Sequence, residues 1–147
     1  MIAGVDGSEG SLGALRWALE DSVAHAAEVH ALIVWSSPYT SYSAPLLPVD
    51  QTKIADEARN RLDTAVEAVL RGGGDELRRV PLVREVVEGT PARALLEYSA
   101  GADLLVVGSR GLGGFRDLLL GSVSTQLAHH SRCPLVIVPG RAAHSDT

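Results

Sequence analysis

Short apolar runs alternate with longer amphipathic segments along this chain, and that alternation constrains its fold more than any other feature. Ile2–Val5, Val29–Trp35, Val80–Val87, Leu104–Val107 and Leu135–Val138 are runs of strand length and almost continuously apolar. Strands buried on both faces read this way. Only Val80–Val87 is interrupted, by Arg84 and Glu85, which predicts a place near a sheet edge. Between the runs, apolar residues recur at helical spacing. Leu12, Leu15, Ala18, Leu19 and Val23 predict a helix over roughly 9–27. Ile54, Ala58, Leu62, Ala65, Val66 and Val69 share one face of a second helix that Asp50 can cap and Gly72-Gly73-Gly74 ends near Arg71. A third starts at Gly89-Thr90-Pro91, with Thr90 as cap and Pro91 in the first turn, and runs to about Ala100. The last covers Ser122–His130, and Pro139-Gly140 closes the final strand.

The order β-α-β-α-β-α-β-α-β predicts a single-domain α/β fold. It is a doubly wound five-stranded parallel sheet with helices on both faces, flavodoxin-like or of a related nucleotide-binding type. The domain is expected over 1–140, with 141–147 a disordered tail. A chain of 147 residues, 46% apolar and 21% charged, suits one soluble globular domain. Aromatic residues make up only 4%, so Ala, Val and Leu must build the core, with Trp17 and Trp35 as packing residues. Lys and Arg number 13 against 18 Asp and Glu, a net charge of −5, which argues against a nucleic-acid partner. Cys133 is the one cysteine, so neither an intrachain disulfide nor a cysteine-based zinc cage can form. No apolar run approaches the ~20 residues of a membrane span. The N-terminus lacks the basic and apolar regions of a signal peptide, so a cytoplasmic location is expected.

Doubly wound sheets bind ligands beyond the carboxyl ends of their strands, at the switch point. The loops to watch are therefore Asp6–Ser8 after strand one, the segment from Ser36 after strand two, and the segment from Gly108 after strand four. The last runs Gly108-Ser109-Arg110-Gly111-Leu112-Gly113-Gly114-Phe115-Arg116-Asp117-Leu118-Leu119-Leu120-Gly121-Ser122 and opens a helix. Gly108 and Gly111 lack side chains where a ligand can approach the backbone, and both can take positive φ. Gly121-Ser122 stands at a helix start, where free N–H groups and the helix dipole suit an anion. Ser122 and Ser124 add hydroxyl donors. Other phosphate motifs fail here. A Walker loop needs Gly-Lys-Ser/Thr, and Lys53 is the only lysine. A dinucleotide fingerprint needs its glycines after strand one. A phosphoacceptor receiver needs acidic and lysine positions that hold Asp6 alone, Glu88-Gly89 and Pro139. Asp6 reads either as a ligand contact or as a helix cap, and Arg110 either as a phosphate partner or as solvated. Arg116 and Asp117 read as a solvated face, and Ser36–Val49, with Tyr39 and Tyr42, as a surface loop. His129, His130 and Cys133 end a helix and enter a strand, which suits a buried turn better than a metal site.

The spacing Gly-x2-Gly-x9-Gly-Ser, here Gly108, Gly111, Gly121 and Ser122, resembles the ATP-binding signature of the universal stress protein family. The resemblance extends to Gly4-Val5-Asp6-Gly7-Ser8, Gly89-Thr90-Pro91, Val106–Gly111, Gly121–Ser124 and Cys133–Pro139, nearly the whole chain. One departure is at the start, where only Met1 precedes Ile2 and a short first strand is expected. The resemblance implies an adenine nucleotide alpha hydrolase-like fold and ATP, with Mg²⁺, as the bound cofactor. It implies that Asp6, with Gly7 and Ser8, lies near ribose, phosphates and a magnesium ion. It implies that the backbone of Val34 pairs with the adenine edge. Gly108, Ser109, Arg110, Gly111 and Gly113 would line ribose and α-phosphate, and Gly121, Ser122, Val123 and Ser124 the β- and γ-phosphates. No catalytic base is visible, so slow or no ATP hydrolysis is expected from a nucleotide-dependent regulatory switch. If strand five is an edge, Leu135–Val138 exposes unpaired backbone that a second copy can cover; family members commonly pair there. The alternative is a homodimeric interaction module that does not bind ATP appreciably. No downstream partner is indicated.

Overall fold

The structure, a computed structural model, describes residues 1–37, 50–113 and 117–140. In chain order its elements are β1 (Ile2–Gly4), α1 (Glu9–His25), β2 (Val29–Trp35), α2 (Gln51–Arg71), α3 (Asp75–Arg78), β3 (Leu82–Glu88), α4 (Pro91–Tyr98), β4 (Leu105–Gly108), α5 (Ser122–His130) and β5 (Leu135–Val138). The strands form one parallel sheet in the order β3-β2-β1-β4-β5. This is the doubly wound α/β arrangement predicted from the alternation. The chain winds outward from β1 to β3, then returns past β1 to β4 and β5, so the switch point lies between β1 and β4.

Each face has its own core. Ala3, Ala31, Ile33 and Val106 pack against Ala14, Leu15, Ala18 and Leu19 of α1 and Leu62, Ala65, Val66 and Val69 of α2. Ile2, Leu32, Leu105 and Val107 point the other way, to Leu95 of α4 and Leu127 of α5. Alternate strand residues thus serve opposite layers, which is why the strands read as continuously apolar. Leu15, Leu19 and Leu62 are fully buried, each contributing about 1.5–3 kcal/mol. Trp17 and Trp35 pack partly buried against the α1/α2 core.

Element ends differ from the sequence expectation by local geometry. Helix α1 stops at His25, because Ala26 turns left-handed at φ 50 and returns its N–H to the Ser22 carbonyl. Helix α4 stops at Tyr98 and a 3-10 turn, Ser99–Gly101, finishes the segment. Thr90 stands at the α4 N-cap position, yet its side chain makes no capping bond there. No periodic signal announces the single turn α3, since four residues are too few for one; buried Leu77 anchors it. Strand β3 is an edge strand, as its polar interruption predicts. Arg84 there reaches across to α2, bonding Asp63 Oδ1 at 2.7 Å and Glu67 Oε1 at 2.8 Å. Of the Ser36–Val49 loop only Ser36 and Ser37 are described, so the expectation for Tyr39 and Tyr42 lies outside the described residues, as does that for 141–147.

The central strand is shorter than its neighbour. Strand β1 pairs only Ile2, Ala3 and Gly4 with β2, while β2 continues to Trp35. A notch is left above the end of β1, bordered by the longer β2.

Candidate functional site

The turn after β1 is built by its own side chains. Gly7 has φ +86, a conformation that favours glycine. Ser8 is the α1 N-cap, its Oγ accepting from Ser11 N–H at 3.2 Å. Of the two readings of Asp6, the cap therefore falls to Ser8. The Asp6 carboxylate is tied instead by two main-chain donors: Ser8 N–H to Oδ1 at 2.8 Å and Leu112 N–H to Oδ2 at 3.1 Å. Buried Ser11 completes the turn, its Oγ donating to the Ser8 carbonyl at 2.9 Å and accepting from Asp6 N–H at 3.3 Å.

The segment after β4 lies flush against this turn. A Cβ on Gly108 would stand 2.6 Å from the carbonyl carbon of Gly10, and one on Gly111 would stand 2.5 Å from Asp6 Oδ2. Neither glycine has positive φ. Neither therefore uses the freedom of φ open to glycine; what both positions need is a bare Cα for close approach. Ser109 turns inward. Its N–H donates to the Val138 carbonyl at 2.8 Å, and its own carbonyl accepts from Gly121 N–H at 2.6 Å and Ser124 Oγ at 2.8 Å. Its Oγ accepts from Gly140 N–H at 3.2 Å. Buried Ser124 also approaches the Gly121 carbonyl at 3.1 Å. The expectation that Ser124 offers a free hydroxyl donor is corrected accordingly, because its proton is directed at protein carbonyls.

Helix α5 opens beside this segment. Gly121 is its N-cap, with no side-chain capping bond. Its ladder begins with Thr125 N–H to the Gly121 carbonyl at 3.0 Å. The N–H groups of Ser122, Val123 and Ser124 precede that first bond and have no acceptor within the helix. Ser122 is exposed. Such an end attracts anions through its N–H groups and dipole.

Along β2, successive residues turn their main-chain groups to opposite neighbours. The Leu32 carbonyl accepts from Val5 N–H at 2.8 Å on the β1 side, and the Trp35 carbonyl from Gly89 N–H at 2.9 Å on the β3 side. Val34 therefore presents its N–H and C=O toward β1, which has already ended at Gly4. One donor and one acceptor face the notch together.

These parts surround a cleft of about 790 Å³. Asp6, Ser8, Val34, Gly108, Arg110, Gly111, Gly113, Gly121, Ser122, Val123 and Ser124 all line it. Gly7 and Ser109 do not; Gly7 faces Arg61, whose Cγ and Cδ would lie 3.0 Å from an added Cβ. Asp6 is the only carboxylate and Arg110 the only cation among the described lining residues. The Arg110 guanidinium lies beside Gly140, 3.6 Å from where a Cβ there would be. Leu32, Val34, Leu95 and Val107 give one end of the cleft an apolar wall, and Leu118 and Leu120 sit at its rim. Asp117 is exposed, as expected; Arg116 lies outside the described residues.

Sequence reasoning gave no site role to the lining residues Ser11, Pro91, Leu95, Thr125 and Gln126, nor to Gly10, which packs against the glycine segment from outside the lining. Gly10 carried a signal: glycine inside a helical pattern costs about 1 kcal/mol against alanine, and a packing reason usually offsets it. The α4 wall carried none, since only the winding of the chain brings it to the cleft.

A model described as the Universal stress protein family matches residues 1–139. A universal stress protein of Mycolicibacterium smegmatis is 34% identical over a 151-residue alignment covering 98% of this chain and 50% of that protein. The chain spans about half the length of the curated relatives it matches. Among solved structures, universal stress protein UspA from Lactobacillus plantarum matches with a TM-score of 0.71 at 21% identity, covering 93% of this chain and 94% of that one. A universal stress protein crystallised in complex with cAMP matches with a TM-score of 0.59 at 28% identity, covering 95% of each chain.

Proposed function

This chain belongs to the universal stress protein family, and we propose that it binds an adenine nucleotide, ATP with Mg²⁺, in the cleft above β1 and β4. Occupancy of the site acts as a regulatory switch, with slow or no hydrolysis, in a cytoplasmic protein whose binding unit is residues 1–140. The observation that carries the reading is the pairing of two opposite cleft ends. The Val34 N–H and C=O match the N1 acceptor and N6 donor of adenine. The open first turn of α5, with Ser122, suits phosphates. A relative 28% identical over 95% of its length was solved with cAMP, which favours an adenine nucleotide here.

Both ends are needed. Two charge-assisted hydrogen bonds contribute about 3–6 kcal/mol, short of the roughly 8 kcal/mol of micromolar binding. The base and its apolar wall must hold the remainder. Arg110, Gly111 and Gly113 would border the ribose and the first phosphate. Mg²⁺ commonly keeps several waters and takes one or two carboxylates besides substrate phosphates. Asp6 fits that pattern, since each of its oxygens retains a lone pair beyond the N–H it accepts. When bound, the ion would neutralise phosphate charge. No other carboxylate, histidine or lysine is among the described lining residues, which is why fast hydrolysis is not proposed.

Equilibrium dialysis with labelled ATP and Mg²⁺ tests this, with the nucleotide chromatographed afterwards. We expect retained, intact ATP that excess AMP competes away and excess inosine triphosphate does not, because inosine reverses the donor and acceptor at its base edge. No retention well above cellular ATP would sink the reading. A second reading, a homodimeric interaction module, is favoured by β5. It is an edge strand of four half-buried apolar residues, Leu135–Val138, and such an edge invites a second copy. That module would not bind ATP appreciably, and a dimer is expected under either reading, so the dialysis above, not the oligomeric state, separates the two.

A further inference from the structure

Gly10 stands in the first turn of α1, outside the cleft lining, yet the glycine segment is seated against it. A Cβ on Gly10 would be 2.9 Å from the carbonyl oxygen of Arg110, and a Cβ on Gly108 would be 2.6 Å from the carbonyl carbon of Gly10. Both are contacts with main chain, so no side chain can swing aside to relieve them. A short distance on, Leu112 N–H bonds Asp6 Oδ2. The seam between the two segments is thus closed by bare backbone at one end and a hydrogen bond at the other. Arg110 and Gly111, between those ends, border the cleft.

We propose that Gly10 is a positioning residue for the nucleotide site, acting only through the Arg110 carbonyl. The proposal rests on the adenine-nucleotide reading above. An added methyl must displace one side of the seam. Helix α1 cannot yield, because Ser11, Ala14 and Leu15 behind Gly10 are buried and Ser8 caps its first turn. Gly111 and Leu112 are exposed, so the segment bordering the cleft gives way. The site then loses its shape while the fold stays.

The test compares two alanines on one helix. Gly13→Ala brings a Cβ no nearer than 3.8 Å, to Val138 Cγ1, and is the control. Both substitutions favour the helix, so propensity alone predicts two benign variants, and a merely structural role for Gly10 predicts a lower melting temperature for Gly10→Ala with ATP affinity unchanged. We expect Gly13→Ala to bind ATP as the parent does, and Gly10→Ala to bind about tenfold or more weakly with its melting temperature kept. Leu112 amide exchange should be faster in ligand-free Gly10→Ala than in Gly13→Ala. Parent-like affinity and parent-like exchange in Gly10→Ala overturn the proposal. A measurement on the parent keeps the test independent of how Gly10→Ala folds. Saturating ATP should slow exchange of the Ser11 and Leu12 amides across the seam, and no slowing there counts against the proposal. If neither parent nor Gly13→Ala retains ATP, the nucleotide reading itself fails. Leu112 exchange in ligand-free Gly10→Ala then decides the seam, and an unchanged rate overturns it.

Discussion

Asp6 Oδ2 accepts the N–H of Leu112 at 3.1 Å, joining the turn after the first strand to the segment after the fourth. The other carboxylate oxygen holds Ser8 N–H at 2.8 Å. One side chain therefore bridges the switch point of the sheet, and it does so with both oxygens engaged by main chain. A bond of this kind to a charged acceptor contributes about 1.5–3 kcal/mol, enough to matter to the local geometry of a cleft rim that is otherwise exposed.

Asp6→Asn should disturb this bridge without changing side-chain volume. An amide has one acceptor oxygen, so its NH₂ must face one of the two N–H donors. We expect a stability loss of about 1–3 kcal/mol, read from denaturant unfolding. ATP retention should fall both with and without Mg²⁺. A loss confined to Mg²⁺-containing buffer would assign the carboxylate to the ion rather than to the bridge.

Ser122 and Ser124 should behave differently despite their shared place in the sequence motif. Ser124 is buried with its hydroxyl donating to the Ser109 and Gly121 carbonyls, whereas Ser122 is exposed at the helix start. Ser124→Ala should lower stability by about 1 kcal/mol. Ser122→Ala should leave the melting temperature unchanged and weaken ATP retention. Calorimetric melts and dialysis on both variants check the contrast, and equal behaviour would refute it.

Arg84 gives a prediction about pH. Its hydrogen bonds to Asp63 and then Glu67 hold its guanidinium above the ordinary arginine value. A raised folded-state pKa contributes stability that is fully present below the unfolded value and lost only as pH climbs through the folded one. That window lies beyond ordinary conditions, so this contribution has no slope between about pH 6 and 9. Both acids are about half exposed, so the cost of Arg84→Gln should be small, about 0.5–1 kcal/mol. It should be constant over that range and smaller in about 1 M salt. Urea midpoints at several pH values measure it, and a cost that varied with pH would contradict the assignment.

Much of this molecule is legible in its amino-acid order, and the reason is locality. Helical and strand periodicities are properties of neighbouring residues, so the stripe Ala58, Leu62, Ala65, Val66, Val69 and the runs Val29–Trp35 and Leu135–Val138 declare their elements and their order. Right-handed winding of parallel strands then leaves few sheet topologies open. The loops after β1 and β4 border the cleft, as that order predicts, whereas no described residue after β2 does so; there the strand itself supplies Leu32 and Val34. The identity of the glycines and serines in those loops is likewise visible in the chain.

What each of those residues does was decided only by tertiary structure. Gly108 reads as a place for a ligand to approach, and it does line the cleft, yet the space a Cβ would need is filled by the backbone of Gly10, 98 positions earlier in a chain of 147. Ser109 and Ser124 read as phosphate contacts, yet they bond each other across the base of the loop. Val34 presents free main-chain groups because β1 stops at Gly4 while β2 runs on. No periodicity records where a neighbouring strand ends or how closely two distant backbones meet. Those facts belong to contacts between segments remote in sequence, and they exist only once the sheet has assembled.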